Sequence, residues 1–524
     1  MTLAGTGEVL AIDIQLPALD YLAMAPLLIL FGAACIGMLV EAFASRRSRP
    51  LLQFWLSFIA LAAALVMVVR AANNVTKGFT AGTALSIDGP TLFLQGTLVV
   101  LGMVALLLIG ERRLERGGPF VAQAAIPVGG EADRRQIRES GGTEVFPLTL
   151  FALGGMMLFV AANDLLTLFV ALEVFSLPLY LLCALARRRR LISQEAALKY
   201  FLLGSFASAF FIFGMALLYG FSGSVSLRAI NIAVEGSTAS PLLLYAGIAM
   251  VAVALLFKVA AVPFHVWTPD VYQGAPTPVT ALMAACTKVA AFGGLLRVLY
   301  VALDRARWDI EPVVAVIAIL TMLIGAILAV TQTDLKRLLA YSSIANAGYL
   351  LVGVLAFTRD GVSSSLFYLA AYGFTVIAAF AVVSLVRDED GEATHLSRWA
   401  GLGKRSPVVS ALFTFLLLAF AGIPLTSGFA SKFAVFGAAL GASGPWQTAT
   451  VIAGVVTSMI LAFPYLRVVV MLWLSEPVEN GPSVSSAGTF TWAALWVGVL
   501  ATLALGVAPD PFLQLASDAA EFLR

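Results

Sequence analysis

Charge is what this chain has least of. Lysine, arginine, aspartate and glutamate make up 12% of its 524 residues, where a soluble globular domain carries about 25%. Hydrophobic residues make up 60%, and mean hydropathy is +0.95. Such a surface would not stay dissolved, so a water-soluble enzyme is excluded and the bilayer is read as the solvent. Cysteine is scarce too: Cys35, Cys183 and Cys286 lie in separate apolar runs without C-x-x-C spacing. That excludes a disulfide scaffold and offers no iron–sulfur or zinc site; each reads as a small apolar residue. No dinucleotide fingerprint appears, so no cofactor and no metal is expected on this chain. The net charge of +2 gives no reason to expect nucleic acid. Basic residues are missing ahead of Arg46, which argues against a cleaved signal peptide and predicts that the first apolar stretch stays as a membrane helix.

What is present is long apolar runs. A helix needs about 20 such residues to cross a ~30 Å hydrocarbon core. Runs of that kind fall near 22–44, 51–72, 92–111, 146–162, 164–185, 195–221 and 243–267. Seven more fall near 277–301, 311–331, 337–357, 363–386, 408–443, 446–472 and 489–509. The run 408–443 is too long for one straight span and contains Pro424 between Gly422 and Gly428, so a broken helix is expected there. Loops after odd-numbered runs carry Arg46, Arg47 and Arg49, the stretch from Arg112 to Arg138, and Arg187 to Arg190. Lys336, Arg337, Arg387, Arg398, Lys404 and Arg405 are assigned to the same side. The other side has few cations, so the arginine-rich side is predicted to be cytoplasmic, with both termini outside. Abundant alanine and arginine point to a bacterial cell membrane. The polar stretch 112–145 reads as a cytoplasmic loop.

A faint repeat runs through the middle. Residues 163–169 (NDLLTLF) open the fifth run and 332–339 (QTDLKRLL) the tenth; the prolines at 263 and 424 interrupt the seventh and twelfth. Corresponding runs lie five apart, and an odd offset enters the membrane upside down. Inverted repeats with matched breaks are the plan of secondary transporters. The expected fold is therefore an all-α membrane protein of about fourteen transmembrane helices. It divides into 1–111 (three helices), 112–145 (loop), 146–301 and 302–472 (two inverted five-helix units), and 473–524 (the last helix and tail).

Several charges stand where hydrocarbon should be. An ionised side chain at mid-membrane costs about 2.5–3.5 kcal/mol on insertion scales. Glu173, Lys258, Lys288 and Lys432 all fall inside apolar runs; Lys199 is one turn after Glu195 near a run's start. Each reads blandly as an ion pair or a snorkelling end, most plausibly for Lys199. A series of them beside helix breaks reads better as a proton path. Burial penalises an ammonium and a nearby carboxylate restores it, so a lysine held between the two changes protonation when its neighbour's charge changes. His265 suits a relay by its titration range, or is a satisfied interfacial histidine; His395 reads as solvated. Asp270 and Tyr272 read as turn and capping residues.

Residues 257–279 (FKVAAVPFHVWTPDVYQGAPTPV) resemble the helix seven–eight signature of the antiporter-like subunits of respiratory complex I and of Mrp-type cation/proton antiporters. Residues 271–276 (VYQGAP) and 287–293 (TKVAAFG) are most similar to the subunit N branch. The resemblance runs from about 145 to 470. It implies proton-transfer roles for Glu173, Lys258, Lys288 and Lys432, with Lys199 matching a further lysine of that branch. It also implies partners: a neighbouring antiporter-like subunit and small membrane subunits, with NADH and quinone handled elsewhere in an NADH–quinone oxidoreductase. No long lateral helix is expected after the last span. A free Mrp-type Na⁺/H⁺ antiporter subunit, or a scaffold whose buried charges only hold helices together, are the rival readings.

Overall fold

The computed structural model describes the chain except for residues 1–18, 74–77, 116–117, 122–125, 127–129, 132–141, 389–390 and 487. Much of the predicted loop 112–145 therefore lies outside the described residues. In chain order the helices are α1 (Tyr21–Phe43), α2 (Arg49–Asn73), α3 (Gly89–Gly110), α4 (Val145–Ala161), α5 (Leu165–Cys183), α6 (Arg190–Ser222) and α7 (Leu227–Gly236). They continue as α8 (Pro241–Val259), α9 (Trp267–Gly274), α10 (Thr277–Ala302), α11 (Arg307–Val330), α12 (Leu335–Val354) and α13 (Arg359–Leu385). The last are α14 (Leu402–Arg405), α15 (Pro407–Ala421), α16 (Ser427–Gly441), α17 (Pro445–Leu474), α18 (Thr489–Val507) and α19 (Asp510–Asp518). Among the described residues, eleven helices are long and apolar enough to cross a membrane. The shorter α4 and α15 are equally apolar in character. Helices suit the solvent because they satisfy their own backbone groups where lipid cannot.

Short polar residues start these helices. Asp20, Asp88, Asp164, Asp334 and Thr358 each turn a side-chain oxygen to a backbone N–H of the first turn. Helix ends then tie to one another at two faces. On the arginine-rich face, Arg189 donates to Thr394 Oγ1 at 2.9 Å and Leu335 N–H to Thr394 O at 2.7 Å. On the opposite face, Asn163 N–H donates to Ala84 O at 2.8 Å and Leu165 N–H to Val225 O at 3.0 Å. Small antiparallel pairings finish these faces: Gly78–Thr80 with Leu85–Ile87 on one, and Val386–Asp388 with Gly391–Glu392 and Ser483–Val484 on the other.

The expected breaks are present, and their chemistry matches. Helix α8 ends at Val259, with Ala260 left-handed (φ 63°) and Ala261 N–H returning to Leu256 O at 2.9 Å. Helix α15 ends at Ala421, with Gly422 left-handed (φ 85°) and Ile423 N–H returning to Leu418 O at 3.1 Å. Both are the same left-handed helix cap. The two repeat openings match as well. Asp164 caps α5 and pairs as a lone β-bridge with Ser226; Asp334 caps α12 and pairs with His395, on the other face.

At the centre, α10 is buried along its whole apolar window and α13 nearly so, while α1, α2, α6, α11, α17 and α18 turn most of theirs outward. Helix α10 is not a plain α-helix. It contains π-helical turns at Met283–Thr287 and Val298–Ala302; such turns leave carbonyls without their usual partners and recur at functional sites.

Candidate functional site

Lys258 occupies the last turn of α8, 5% exposed. Its Nζ donates to Ser176 Oγ of α5 at 2.7 Å. The rings of Phe175, Tyr180, Tyr200 and Phe257 surround it at 5.3–5.7 Å, so aromatic faces supply part of the negative potential that water would give. Trp267, opening α9, donates its indole N–H to Phe257 O at 2.9 Å and so satisfies a carbonyl freed by the break. Glu173 is one turn before Ser176 on the same helix. It accepts the Ser208 hydroxyl of α6 and lies within electrostatic reach of Lys258. Glu173 and Lys258 are thus held by separate serines.

Lys288 follows directly on the first π turn of α10 and is 3% exposed. Its ammonium donates to Ser343 O of α12 and lies 5.3 Å from the ring centre of Tyr372 on α13. Lys432, 7% exposed, lies in α16 just past the second break. It donates to Phe420 O and Ala421 O at 3.1 Å each and to Ser458 Oγ at 2.8 Å, beneath the Tyr349 ring at 4.7 Å. A cation at the carbonyl end of a broken helix meets both orphan acceptors and the negative pole of the helix dipole. Among the described residues, none of Lys258, Lys288 and Lys432 is in an ion pair.

A polar seam runs between the last two lysines. Asn346, Tyr368, Tyr372, Thr375, Ser431 and Lys432 line a cavity of about 10 Å³, near the smallest volume that holds one water. Tyr368 OH donates to Asn346 Oδ1 at 2.6 Å. The buried hydroxyls of Ser343, Tyr349 and Tyr372 find no protein partner at hydrogen-bond geometry. Tyr372 therefore spans both ends: its ring centre lies 5.3 Å from Lys288 Nζ, and the residue also lines the Lys432 cavity.

The remaining predicted residues go elsewhere. Lys199 is at the arginine-rich face, half exposed, paired at 2.7 Å with both Glu195 and Asp270. Asp270 also takes Arg337 at 2.7 Å, so it is an ion-pair hub between α6, α9 and α12 and not the simple turn residue expected. His265 sits half-buried in the first break, its Nδ1 without a partner. His395 is exposed and bonded to Ser397.

Among the buried charged residues that local spacing does not single out are Lys336, Arg297 and Asp88. Lys336, expected among the loop cations, is 3% exposed in the first turn of α12 and donates to Ala275 O at 2.8 Å and Thr277 Oγ1 at 3.2 Å. It satisfies the carbonyl end of α9, as Lys432 does for α15. Arg297 and Asp88 form a fully buried pair, 0% exposed, at 2.8 Å. Arg297 also reaches Val160 O and Thr91 Oγ1, joining α10 to α3 and α4. A second cation in the apolar run that already holds Lys288 was the available signal for that pair.

Known proteins share this sequence and fold. Residues 162–460 match the family model described as NADH:quinone oxidoreductase/Mrp antiporter, TM. The NADH-quinone oxidoreductase subunit N of Salinispora arenicola is 65% identical over 98% of this chain and 100% of that protein. The subunit N of Saccharopolyspora erythraea is 57% identical over 96% of this chain and 98% of its own length. Among solved structures, a chain of respiratory complex I from Thermus thermophilus with bound aureothin superposes with a TM-score of 0.75 at 31% identity, covering 94% of this chain and 99% of that one. A chain of the Mrp complex from Dietzia sp. shares the fold, with a TM-score of 0.79 at 23% identity, covering 96% of this chain and 97% of its own.

Proposed function

The chain belongs to the NADH:quinone oxidoreductase/Mrp antiporter membrane family, in its subunit N branch, and from that premise we propose how its buried charges carry protons. It is an antiporter-like, proton-translocating membrane subunit of NADH–quinone oxidoreductase, embedded among the other membrane subunits; NADH and quinone are handled by other subunits of the complex. In our reading this subunit holds no redox centre, and its own work is proton transfer.

The observation that carries the route is that Lys258, Lys288 and Lys432, like the buried Lys336 at the arginine-rich face, have no carboxylate partner among the described residues and bond to hydroxyls or backbone carbonyls. A structural ion pair would bring a counter-charge; a proton carrier has to be able to lose its charge. A charge change beside Glu173 alters how strongly that carboxylate holds the proton on Lys258. The proton passes to Lys288, crosses the Tyr372 seam by water, reaches Lys432 and leaves on the opposite face. Glu173 is placed to receive the trigger: half-buried on α5, it falls in line with the exposed Leu166, Val170, Leu177 and Leu181. A carboxylate on an outward stripe is compatible with a neighbouring subunit and poorly with lipid. Lys199, with Asp270 and Arg337, is the entry at the arginine-rich face, which the positive-inside rule makes cytoplasmic. His265 has the weaker claim on a relay role.

The paired caps at Ala260 and Gly422, and the paired bridges of Asp164 and Asp334, support two inverted five-helix units at 146–301 and 302–472 within fourteen crossings. The test is proton pumping by the assembled complex in proteoliposomes. Lys258→Ala and Lys288→Ala are expected to remove most of it while the subunit still assembles. Full pumping by both variants would overturn the route.

A further inference from the structure

Helices α8 and α11 are tied at two points. Near the opposite face Tyr245 OH donates to Asp309 Oδ2 at 3.0 Å; at the break Val262 N–H donates to Thr321 Oγ1 at 3.0 Å. Between those ties the two helices hardly meet. The gap is a cleft of about 260 Å³ walled by Ala252 and Leu255 of α8, Val298 and Leu299 of α10, and Val313 and Ile317 of α11. Water cannot fill it usefully. At about 30 Å³ each, eight or nine waters would fit, but a buried water needs two to four polar partners and an aliphatic cavity stays dry. The polar groups at the mouth, Tyr245 and Asp309, already bond to each other.

The mouth opens outward, where Val313 is 58% exposed and Tyr245 47%. Trp308, 69% exposed, stands in the turn that opens α11, with the Arg307 guanidinium 4.7 Å over its ring. Tryptophan, tyrosine and arginine at one level are the residues that meet lipid headgroups. We propose that one acyl chain of a phospholipid of the surrounding bilayer occupies this cleft, with its headgroup at the level of Arg307 and Trp308. The chain supplies the packing that α8 lacks on this side. It rests on the second π turn of the helix that carries Lys288, and on Leu255 just before the Lys258 break. This inference depends on the membrane setting alone and not on the lysine route.

The experiment is a cryo-EM map of the whole complex in nanodiscs made with phospholipid carrying brominated acyl chains. Excess bromine scattering is expected in the wild-type cleft, between the level of Trp308 and Leu299. In Ala252→Phe, where a ring fills the space, it is expected to be gone. A wild-type cleft without bromine density, or one filled by a helix of a neighbouring subunit or closed by direct α8–α11 packing, would overturn the proposal. If Ala252→Phe does not assemble, the wild-type map decides alone.

Discussion

Lys258 donates its hydrogen bond to Ser176 and not to Glu173, although both acceptors belong to α5 and lie one helical turn apart. The serine hydroxyl in turn donates a hydrogen bond to Leu172 O. A neutral acceptor steadies the ammonium without fixing its charge, which a direct ion pair would do.

Removing that hydroxyl tests the arrangement. Hydrogen bonds to charged groups contribute about 1.5–3 kcal/mol, so Ser176→Ala is expected to slow pumping by about tenfold or more. Ser176→Thr, which keeps an acceptor, should restore part of it. The readout is fluorescent-dye quenching in proteoliposomes, with NADH oxidation followed alongside. Unchanged pumping in Ser176→Ala would remove the serine from the mechanism.

Lys432→Met keeps the length of the side chain and discards its charge. Two carbonyls at the end of α15 then lose their donor, and a cation at that pole contributes up to about 2 kcal/mol. The expected result is an assembled complex with a reduced proton-to-electron ratio and a lower melting temperature. Lys432→Arg should recover the stability without recovering the pumping, because a guanidinium does not release its proton in this range.

Gly204 makes room for Tyr180, one of the rings around Lys258. A methyl group placed there would come 2.0 Å from the tyrosine hydroxyl. Gly204→Ala is therefore expected to push Tyr180 aside at a cost of about 1–3 kcal/mol, slowing pumping more than it lowers subunit content. Gly204→Ala combined with Tyr180→Phe removes the nearest clashing atom but leaves ring carbon Cζ 2.8 Å away, so it should recover part of the activity, and no recovery at all would place the defect elsewhere.

The buried Asp88–Arg297 pair has a different expected signature. Breaking one side of such a pair costs about 3–5 kcal/mol because the other charge is left buried. Asp88→Ala should deplete the subunit from purified complex, as judged by quantitative mass spectrometry, while whatever complex does assemble pumps at the normal ratio. A normal subunit content with lost pumping would move the pair into the proton route.

Much of this architecture could be read in advance for a simple physical reason: hydrocarbon permits few backbone solutions, so apolar run length and proline position predict helices and their breaks. Lys258, Lys288 and Lys432 stood out because nothing charged belongs where they are. Lys336 did not, because it adjoins Arg337 at a run's start and looks like a loop cation. Its burial depends on α9 lying across it, a tertiary contact between segments distant in the chain. The same holds for Asp270: its partners come from two other helices, and local spacing contains neither. The Tyr372 seam is assembled from α12, α13 and α16, so no single stretch announces it.

The left-handed turn at Gly422 ties two substitutions together. Straightening the chain there would offer Ala421 O the Leu425 N–H but leave Phe420 O without a helical donor, because its partner position is Pro424; Lys432 would keep Ser458 alone of its present partners at the break. Deleting the lysine alone would strand the two carbonyls in oil. Suppressors of Lys432→Met are accordingly expected at the kink itself and at Pro424, whose replacement would supply the N–H that Phe420 O lacks.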